Sequence, residues 1–250
     1  MRAGHSYDRA FLRYAAQSSA YSARSITARL GAQLRPESVL DVGCAAGTWL
    51  DAWTRAGVTD VHGIDGDYVD RALLEIPEAS FTPVDLDVPF DLGRRFDLVQ
   101  SLEVAEHLEA ASSAAFAQSL ARHARRYLLF SAAPPGQGGE RHINERPYEF
   151  WRERFESLGF ATVDAVRPAI QADRGISYWY RYNTLLFVRA EIVSELGAEL
   201  GERLVPPGRP IEDVSPLGFR LRKALVRQLP NAVQHEIARL KARLLPTGRL

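Results

Sequence analysis

Short apolar runs alternate with longer amphipathic stretches between Val39 and about Arg189. Apolar runs of strand length that alternate with stretches of helical length predict a doubly wound α/β fold, in which a mainly parallel sheet carries helices on both faces. We predict strands at 38–43, 60–65, 80–84, 96–101, 126–131, 160–166 and 184–189. Helices are predicted near 48–56, 67–74, 109–124 and 147–158. A run of Ala, Pro and Gly at 132–139 predicts a mobile crossover loop.

The two ends of the chain differ from this central rhythm. Residues 6–34 have a polar helical pattern, which suits either a lid or simple packing. Beyond Val205 a basic amphipathic tail is predicted, which Pro230 divides into two helices. We therefore divide the chain into a helical lead-in or lid at 1–37, a central domain at 38–190 and a C-terminal helical tail at 191–250. The tail has apolar residues at helical spacing: Leu217, Leu221, Leu225, Leu229, Val233, Ile237, Leu240 and Leu244.

Composition narrows the cellular setting and the general partners. The 31 basic residues balance the 31 acidic residues, so the chain as a whole has no net attraction to nucleic acid or anionic lipid. Cys44 is the single cysteine and has no internal disulfide partner. No apolar run reaches the ~18–20 residues that a membrane span requires. We expect a soluble protein of the reducing cytoplasm.

The most informative stretch is the small-residue turn that follows the first predicted strand. Gly43, Cys44, Ala45 and Gly47 form this turn, and Asp41 precedes it by two residues. Small residues allow a ligand to approach the backbone at the carboxyl end of the strand, where doubly wound sheets bind nucleotides. The G-x-G-x-x-G spacing of dinucleotide sites is absent. A carboxylate at Asp41 suits an ammonium group better than a pyrophosphate.

Further acids end the next two predicted strands. Asp65, followed by Gly66, is placed to accept hydrogen bonds from both hydroxyls of a ribose. Asp85 ends the third strand near the place of an adenine amine, and the backbone of Leu86 is available to a ring nitrogen. One such acid is readily explained as a solvated strand end or a helix cap. Acids at the ends of successive strands favour a shared ligand.

These segments, together with 96–103, resemble the class I S-adenosylmethionine-dependent methyltransferases over roughly residues 38–190. The resemblance implies a Rossmann-like sheet of seven strands with the last strand antiparallel. It also implies that S-adenosylmethionine binds along the strand ends, with Ser101 and Leu102 of the fourth strand contributing to the site. One departure from the family pattern is Ala45, which replaces a common glycine. We expect the turn to keep a negative φ at Ala45.

A second motif follows the fourth strand. Glu103, Glu106 and His107 have the spacing of one helical face, and His142 lies downstream. This E-x-x-E-H group resembles metal-binding positions in ubiquinone-biosynthesis O-methyltransferases and in small-RNA 2′-O-methyltransferases. With His142 it would suit Mg²⁺, Mn²⁺ or Zn²⁺. Without a metal, His142, or alternatively His107, is the candidate general base.

The acceptor remains open between two chemical classes. Overall neutrality favours O-methylation of a hydroxyl on a small molecule or glycan, whereas the E-x-x-E-H pattern and the basic tail suit RNA ribose 2′-O-methylation. A non-catalytic cofactor-binding scaffold is a third reading. Residues 178–183, if extended, would place Tyr178, Tyr180 and Tyr182 on one side. That aromatic segment would then stack a ring, pack within the sheet or, like the C-terminal tail, form a homodimer interface.

Overall fold

A single seven-stranded sheet organises the protein, as seen in a computed structural model that describes residues 9–229, with side chains from residue 19 onward. The strand order is β3-β2-β1-β4-β5-β7-β6. The strands are β1 (Ser38–Val42), β2 (Asp60–Asp65), β3 (Phe81–Pro83), β4 (Phe96–Leu102), β5 (Ala124–Ser131), β6 (Phe160–Val163) and β7 (Leu185–Arg189). The predicted fold class is confirmed, because β7 runs antiparallel to both β5 and β6 while the other pairs are parallel.

The helices pack on both faces of this sheet, as predicted. They are α1 (Arg9–Leu34), α2 (Thr48–Arg55), α3 (Ser113–His123), α4 (Tyr148–Ser157), α5 (Val166–Ile170), α6 (Tyr178–Asn183), α7 (Ala198–Gly201) and α8 (Leu217–Val226). The chain reverses its winding direction between β1 and β4, which lie side by side. Doubly wound sheets bind ligands at the carboxyl ends of the strands on either side of such a switch.

Two apolar clusters form the core, one on each side of the sheet. The first includes Ile26 and Leu30 of α1 together with Trp53 of α2. Residues 19–34 of the helical lead-in are therefore packed against the domain. The second cluster includes Phe116 of α3 and Phe155 of α4. Strands β1 and β4 are buried along their whole length, as expected for central strands of a parallel sheet.

The predicted helix at 67–74 and the predicted strand at 160–166 differ in the structure. The segment predicted as a helix at 67–74 has only one 3₁₀ turn, Arg71–Leu73, in which the amide of Ala72 donates a hydrogen bond to the side chain of Asp70. Asp70 favours such a local turn over a regular helix because its short side chain binds the nearby backbone. The strand predicted at 160–166 ends at Val163, and α5 begins three residues later.

The aromatic segment 178–183 is helical and not extended, so its three tyrosines do not line one side of a strand. Tyr180 and Tyr182 are buried, and the Tyr180 ring packs edge-on against Trp49 with centroids 5.1 Å apart. Alternating aromatic and polar residues do not distinguish a short strand from a helix of this length. The segment packs within the domain and is not a free stacking surface.

The described part of the C-terminal tail forms α8, which begins directly after Pro216. The predicted division at Pro230 lies outside the described residues. Within 9–229, none of the helices has the length and apolar character that crossing a bilayer would require.

Removing one partner of a buried ion pair should show how strongly the α5 region is fixed. Both carboxylate oxygens of Asp164 accept hydrogen bonds from Arg167, at 2.8 and 2.6 Å, and Arg167 is almost fully buried. We expect Asp164→Ala to lower the free energy of unfolding in urea by about 3 kcal/mol, because the guanidinium is left buried without its counterion.

Arg55→Ala is the matched control, since it removes a solvent-exposed ion pair with Asp51 on α2. Its cost should be much smaller, because a solvent-exposed ion pair contributes little to stability. Equal losses in the two variants would contradict the assigned difference in burial.

Candidate active site

The small-residue turn after β1 brings the backbone close to its neighbours at two glycines. Gly43 and Gly47 both have φ of 85°, in the left-handed region where a side chain is strained. A Cβ atom on Gly43 would lie 2.4 Å from a methyl carbon of Val104, and one on Gly47 would lie 3.0 Å from Ile76. Glycine is therefore required at both positions for this turn to fit beneath its neighbours.

Ala45 also adopts a left-handed conformation, with φ of 47°, so the expectation of a negative φ there is wrong. The Ala45 amide donates a 2.7 Å hydrogen bond to the carboxylate of Asp65. This charge-assisted bond offsets the strain of placing a non-glycine residue in the left-handed region. It also connects the turn after β1 to the end of β2.

Asp41 is buried near the end of β1, opposite Gln100 of β4. The pKa of Asp41 is raised from 3.8 to about 7, mainly by burial and also by the nearby Asp65 carboxylate, while a hydrogen bond with the side chain of Gln100 opposes the rise. The Gln100 side chain is itself oriented, because its carbonyl oxygen accepts a 2.8 Å hydrogen bond from the Trp53 indole. A cation that binds next to such a buried carboxylate stabilises its ionised form.

Asp65 at the end of β2 is also buried, and burial raises its pKa. Three donors oppose that rise: the backbone amides of Ala45 and Gly66, each at 2.7 Å, and the phenol of Tyr68. One oxygen is held by Ala45, while the other accepts from both Gly66 and Tyr68. Asp65 is thus oriented by the backbone, with a hydroxyl group already among its donors.

The remaining predicted cofactor residues lie along the same edge of the sheet. Asp85 is exposed and accepts a 3.0 Å hydrogen bond from the amide of Asp87, while Leu86 is buried. Cys44 is buried, and burial raises the pKa of its thiol well above the usual range. The Ser101 hydroxyl donates to the carbonyl of Val42 at 2.9 Å, so it joins β4 to β1.

Glu103 does not share a helical face with Glu106 and His107, contrary to the spacing argument. Its φ of 58° breaks the chain direction after β4, and only a 3₁₀ turn, Ala105–His107, follows. The Glu103 carboxylate accepts hydrogen bonds from Asn183 at 3.1 Å and from Gln137 at 3.0 Å. It is therefore directed toward α6 and the crossover loop.

Glu106, His107 and His142 do converge, with one ligand atom from each lying within 4.8 Å of the others. Glu106 is fully buried, and neither of its carboxyl oxygens makes a hydrogen bond of standard geometry. Burial and the neighbouring Glu103 raise the pKa of Glu106 well above its usual range. Burial lowers the pKa of His107 to about 3, so its imidazole is neutral. The rings of His107 and His142 meet edge-on, with centroids 4.9 Å apart.

Glu145 fixes both His142 and the crossover loop. Its carboxylate accepts hydrogen bonds from the amides of Gly136 and Gly138, each at 2.7 Å, and lies 2.9 Å from Nδ1 of His142. A proton on Nδ1 leaves Nε2 as the basic or metal-binding nitrogen. The loop was predicted to be mobile, but Ala132, Ala133 and Gln137 within it are buried. Its backbone is instead held by the carboxylate of Glu145.

The part of the chain from α1 to α4 shows which family the protein belongs to. Residues 12–156, more than half of the sequence, match the model of the methyltransferase-domain family. The chain belongs to that family. No curated protein matches the sequence.

Solved methyltransferase structures have the same fold at low sequence identity. DesVI of Streptomyces venezuelae is 17% identical, with a TM-score of 0.52 over 72% of this chain and 96% of that protein. The sugar N-methyltransferase KedS8 from Streptoalloteichus is 18% identical, with a TM-score of 0.50 over 70% and 87%. Human N-acetylserotonin methyltransferase, solved with S-adenosylmethionine, is 13% identical, with a TM-score of 0.52 over 72% and 55%.

Sequence reasoning missed several residues of this methyltransferase site. Gln100 carried a usable signal, since it is an amide within an otherwise apolar strand. Tyr68, Gln137, Glu145 and Asn183 carried none, because their contacts with Asp65, Glu103 and His142 depend on how loops and α6 fold back over the sheet. Such contacts between distant segments have no local pattern.

Asp41→Asn should make the methyltransferase more stable at neutral pH. The pKa of Asp41 in the folded protein, about 7, exceeds the usual aspartate value of 3.8, so the unfolded chain loses its proton first as pH rises. Folding stability therefore falls as pH rises from about 4 to about 7. Asparagine cannot ionise, so above pH 7 the variant should be more stable in urea by about 2 kcal/mol or more.

The gain should shrink as the pH falls below about 4, where the aspartate becomes protonated in both states. Asp85→Asn, at an exposed carboxylate of the same sheet edge, is the control. Its effect should remain within about 0.5 kcal/mol at all pH values. A pH-independent gain for Asp41→Asn would show that ionisation is not the cause.

Proposed function

We propose that this methyltransferase binds S-adenosylmethionine across the ends of β1, β2 and β3 and transfers its methyl group to a hydroxyl of a small molecule or glycan. The observation that carries the proposal is the pair of buried carboxylates, Asp41 and Asp65, beside a turn in which Gly43 and Gly47 must be glycine. Buried carboxylates without a basic side chain bonded to them are costly unless a cationic or hydroxyl-rich ligand binds there.

The chemistry of the site suits the parts of this cofactor. Asp41 would accept from its ammonium group, and the charge of the ligand would bring the Asp41 pKa back down. Asp65 would accept from the ribose hydroxyls, one of which would replace the Tyr68 phenol as a donor. Asp85 and the backbone of Leu86 would contact the adenine. Similarity to a structure solved with S-adenosylmethionine supports this placement.

Methyl transfer requires an acceptor aligned with the cofactor and shielded from water. A hydroxyl acceptor must also lose its proton, and His142 is placed for that role on the crossover loop. Glu145 holds Nδ1, so Nε2 of His142 would accept the proton, and the carboxylate would stabilise the resulting cation. Glu145 is a positioning residue in this scheme.

The same cluster also suits a divalent cation. Glu106, His107 and His142 supply one oxygen and two nitrogen ligands, a set typical of Zn²⁺ or Mn²⁺. Glu145, bonded to His142, has the place of the carboxylate that commonly orients a metal-binding histidine. The unbonded buried oxygens of Glu106 fit this role, whereas Glu103 is engaged by Asn183 and Gln137. A bound ion would polarise the acceptor hydroxyl.

The preference for a small acceptor rests on the net charge of the chain and on its structural relatives. The chain has no net charge, and the structural relatives include a sugar N-methyltransferase and N-acetylserotonin methyltransferase. RNA ribose is the competing acceptor. An assay of methyl transfer to small hydroxylated molecules and to RNA separates the two.

Asp65→Asn should weaken binding of S-adenosylhomocysteine in calorimetry by about ten- to hundredfold, because the amide replaces one carboxylate acceptor by a donor. Asp67→Asn is the matched control, since its carboxylate lies two residues away and is 89% exposed. It should leave the affinity unchanged. Wild-type protein that takes up neither S-adenosylmethionine nor S-adenosylhomocysteine would overturn the proposed function.

Methyl transfer should be detected with hydroxylated metabolites or sugars and not with small RNA. His142→Gln should lower kcat by about a hundredfold or more without changing cofactor affinity, since it removes the base. Glu140→Gln, at an exposed carboxylate on the same loop, is the control. Transfer to RNA alone would reassign the acceptor, and binding without turnover of any acceptor would favour a scaffold.

Metal content separates the two versions of the mechanism. If an ion is used, elemental analysis of the purified protein should find one that is lost in Glu106→Gln and retained in Glu109→Gln, at an exposed residue three positions along the chain. A chelator should then abolish turnover. Full activity in the presence of a chelator, with no bound metal, would leave His142 as a general base.

A further inference from the structure

Helix α8 is attached to the domain by one face only. The Phe219 ring packs against Tyr178, with centroids 5.0 Å apart, and the Lys223 ammonium forms a partly buried ion pair with Asp213. Arg222 donates a 3.0 Å hydrogen bond to the carbonyl of Gln137 in the crossover loop. These contacts fix which side of α8 faces the solvent.

The outward face of α8 is a stripe of leucines. Leu217, Leu221 and Leu225 occur at every fourth position and are 64%, 58% and 68% exposed. Leu229, just beyond the helix, is also exposed. Elsewhere between residues 19 and 229, exposed large apolar side chains are scattered singly along the chain. A contiguous leucine stripe on the surface indicates a binding face, whereas isolated exposed residues do not.

Arginines border this stripe on both sides. Arg220 and Arg227 lie on one flank of α8 and Arg222 on the other, as the helical spacing requires. Neither Arg220 nor Arg227 forms an ion pair with any residue in the described range 19–229. No acidic residue occurs in α8. An apolar stripe between cationic flanks is the pattern of helices that lie in the plane of a membrane surface.

The positive charge of the C-terminal segment favours an anionic partner for this face of α8. From Leu217 to the end of the sequence there are eight Lys and Arg residues, including Arg239, Lys241 and Arg243, against the single acid Glu236. Covering the stripe with the chain's own basic end, or with a second α8, would bring like charges together. An anionic lipid surface suits both the leucine stripe and the flanking arginines, since its headgroups bind arginine and its acyl chains accept leucine.

We propose that the outer face of α8 binds the surface of anionic membranes, with the leucines inserted at the acyl boundary and the arginines among the headgroups. This inference goes beyond the methyl-transfer reaction. It places the protein at a membrane surface by peripheral association. Because Arg222 of α8 donates to the carbonyl of Gln137, the bound helix would lie next to the crossover loop.

Sedimentation of the full-length protein with lipid vesicles tests the proposal. We expect binding to vesicles that contain phosphatidylglycerol and little binding to pure phosphatidylcholine. Leu221→Glu combined with Leu225→Glu should weaken binding by about tenfold or more, because two leucines that insert into the membrane are replaced by charged side chains. Arg220→Gln and Arg227→Gln should each weaken it by about fivefold, with a smaller dependence on salt.

Leu204→Glu is the matched control, because Leu204 is an exposed leucine that pairs with β6 and does not belong to α8. It should bind vesicles like the wild type, and circular dichroism should show that all variants remain folded. Calorimetry with S-adenosylhomocysteine should be unchanged by the leucine variant, which keeps this test separate from the proposed catalytic function.

Vesicle binding that does not depend on Leu221 and Leu225 would overturn the proposal, as would no binding to anionic vesicles. Two further results would assign the face elsewhere. A dimer in sedimentation that dissociates in the leucine variant would make the stripe a self-association surface. RNA binding that needs Arg220 and Arg227 but tolerates both leucine changes would make the face a nucleic-acid surface.

Discussion

The site depends on two carboxylates that are buried at the edge of the sheet, away from solvent. Asp41 and Asp65 lie at the ends of adjacent parallel strands, so the strand spacing places their charges close together. In isolation this arrangement opposes folding, because burial and mutual repulsion both disfavour the ionised state. The structure offsets part of the cost at Asp65 through the amides of Ala45 and Gly66. Asp41 receives less compensation, which makes it the group most responsive to a bound cation.

The small residues of the turn follow from the same constraint. For the Ala45 amide to reach Asp65, the chain must reverse directly after β1 and pass beneath Val104 and Ile76. Left-handed backbone at Gly43, Ala45 and Gly47 achieves that reversal within a few residues. Alanine at the middle position is tolerated because its amide gains a charged acceptor. The turn thus positions the acid at the end of β2, and that acid in return stabilises the turn.

Much of this arrangement could be predicted from the sequence, because it depends on local patterns. Alternating apolar runs gave the strands, and the acids at strand ends located Asp41 and Asp65. The acceptor side was less predictable. The spacing of Glu103, Glu106 and His107 suggested one helical face, but the left-handed residue at Glu103 redirects its side chain. The partners of His142 and Glu103 come from residues 137, 145 and 183, which only the folded chain brings together.

The crossover loop connects the acceptor side to the C-terminal helix by direct contacts. On its inner side, Glu145 binds the amides of Gly136 and Gly138 and orients His142. On its outer side, Gly136 lies so close to the Lys223 carbonyl that a Cβ atom would approach it to 2.1 Å. The backbone of α8 is therefore in direct contact with the loop backbone that Glu145 holds. The proposed membrane-binding helix and the proposed histidine base are consequently linked by contacts through Gly136 and Glu145.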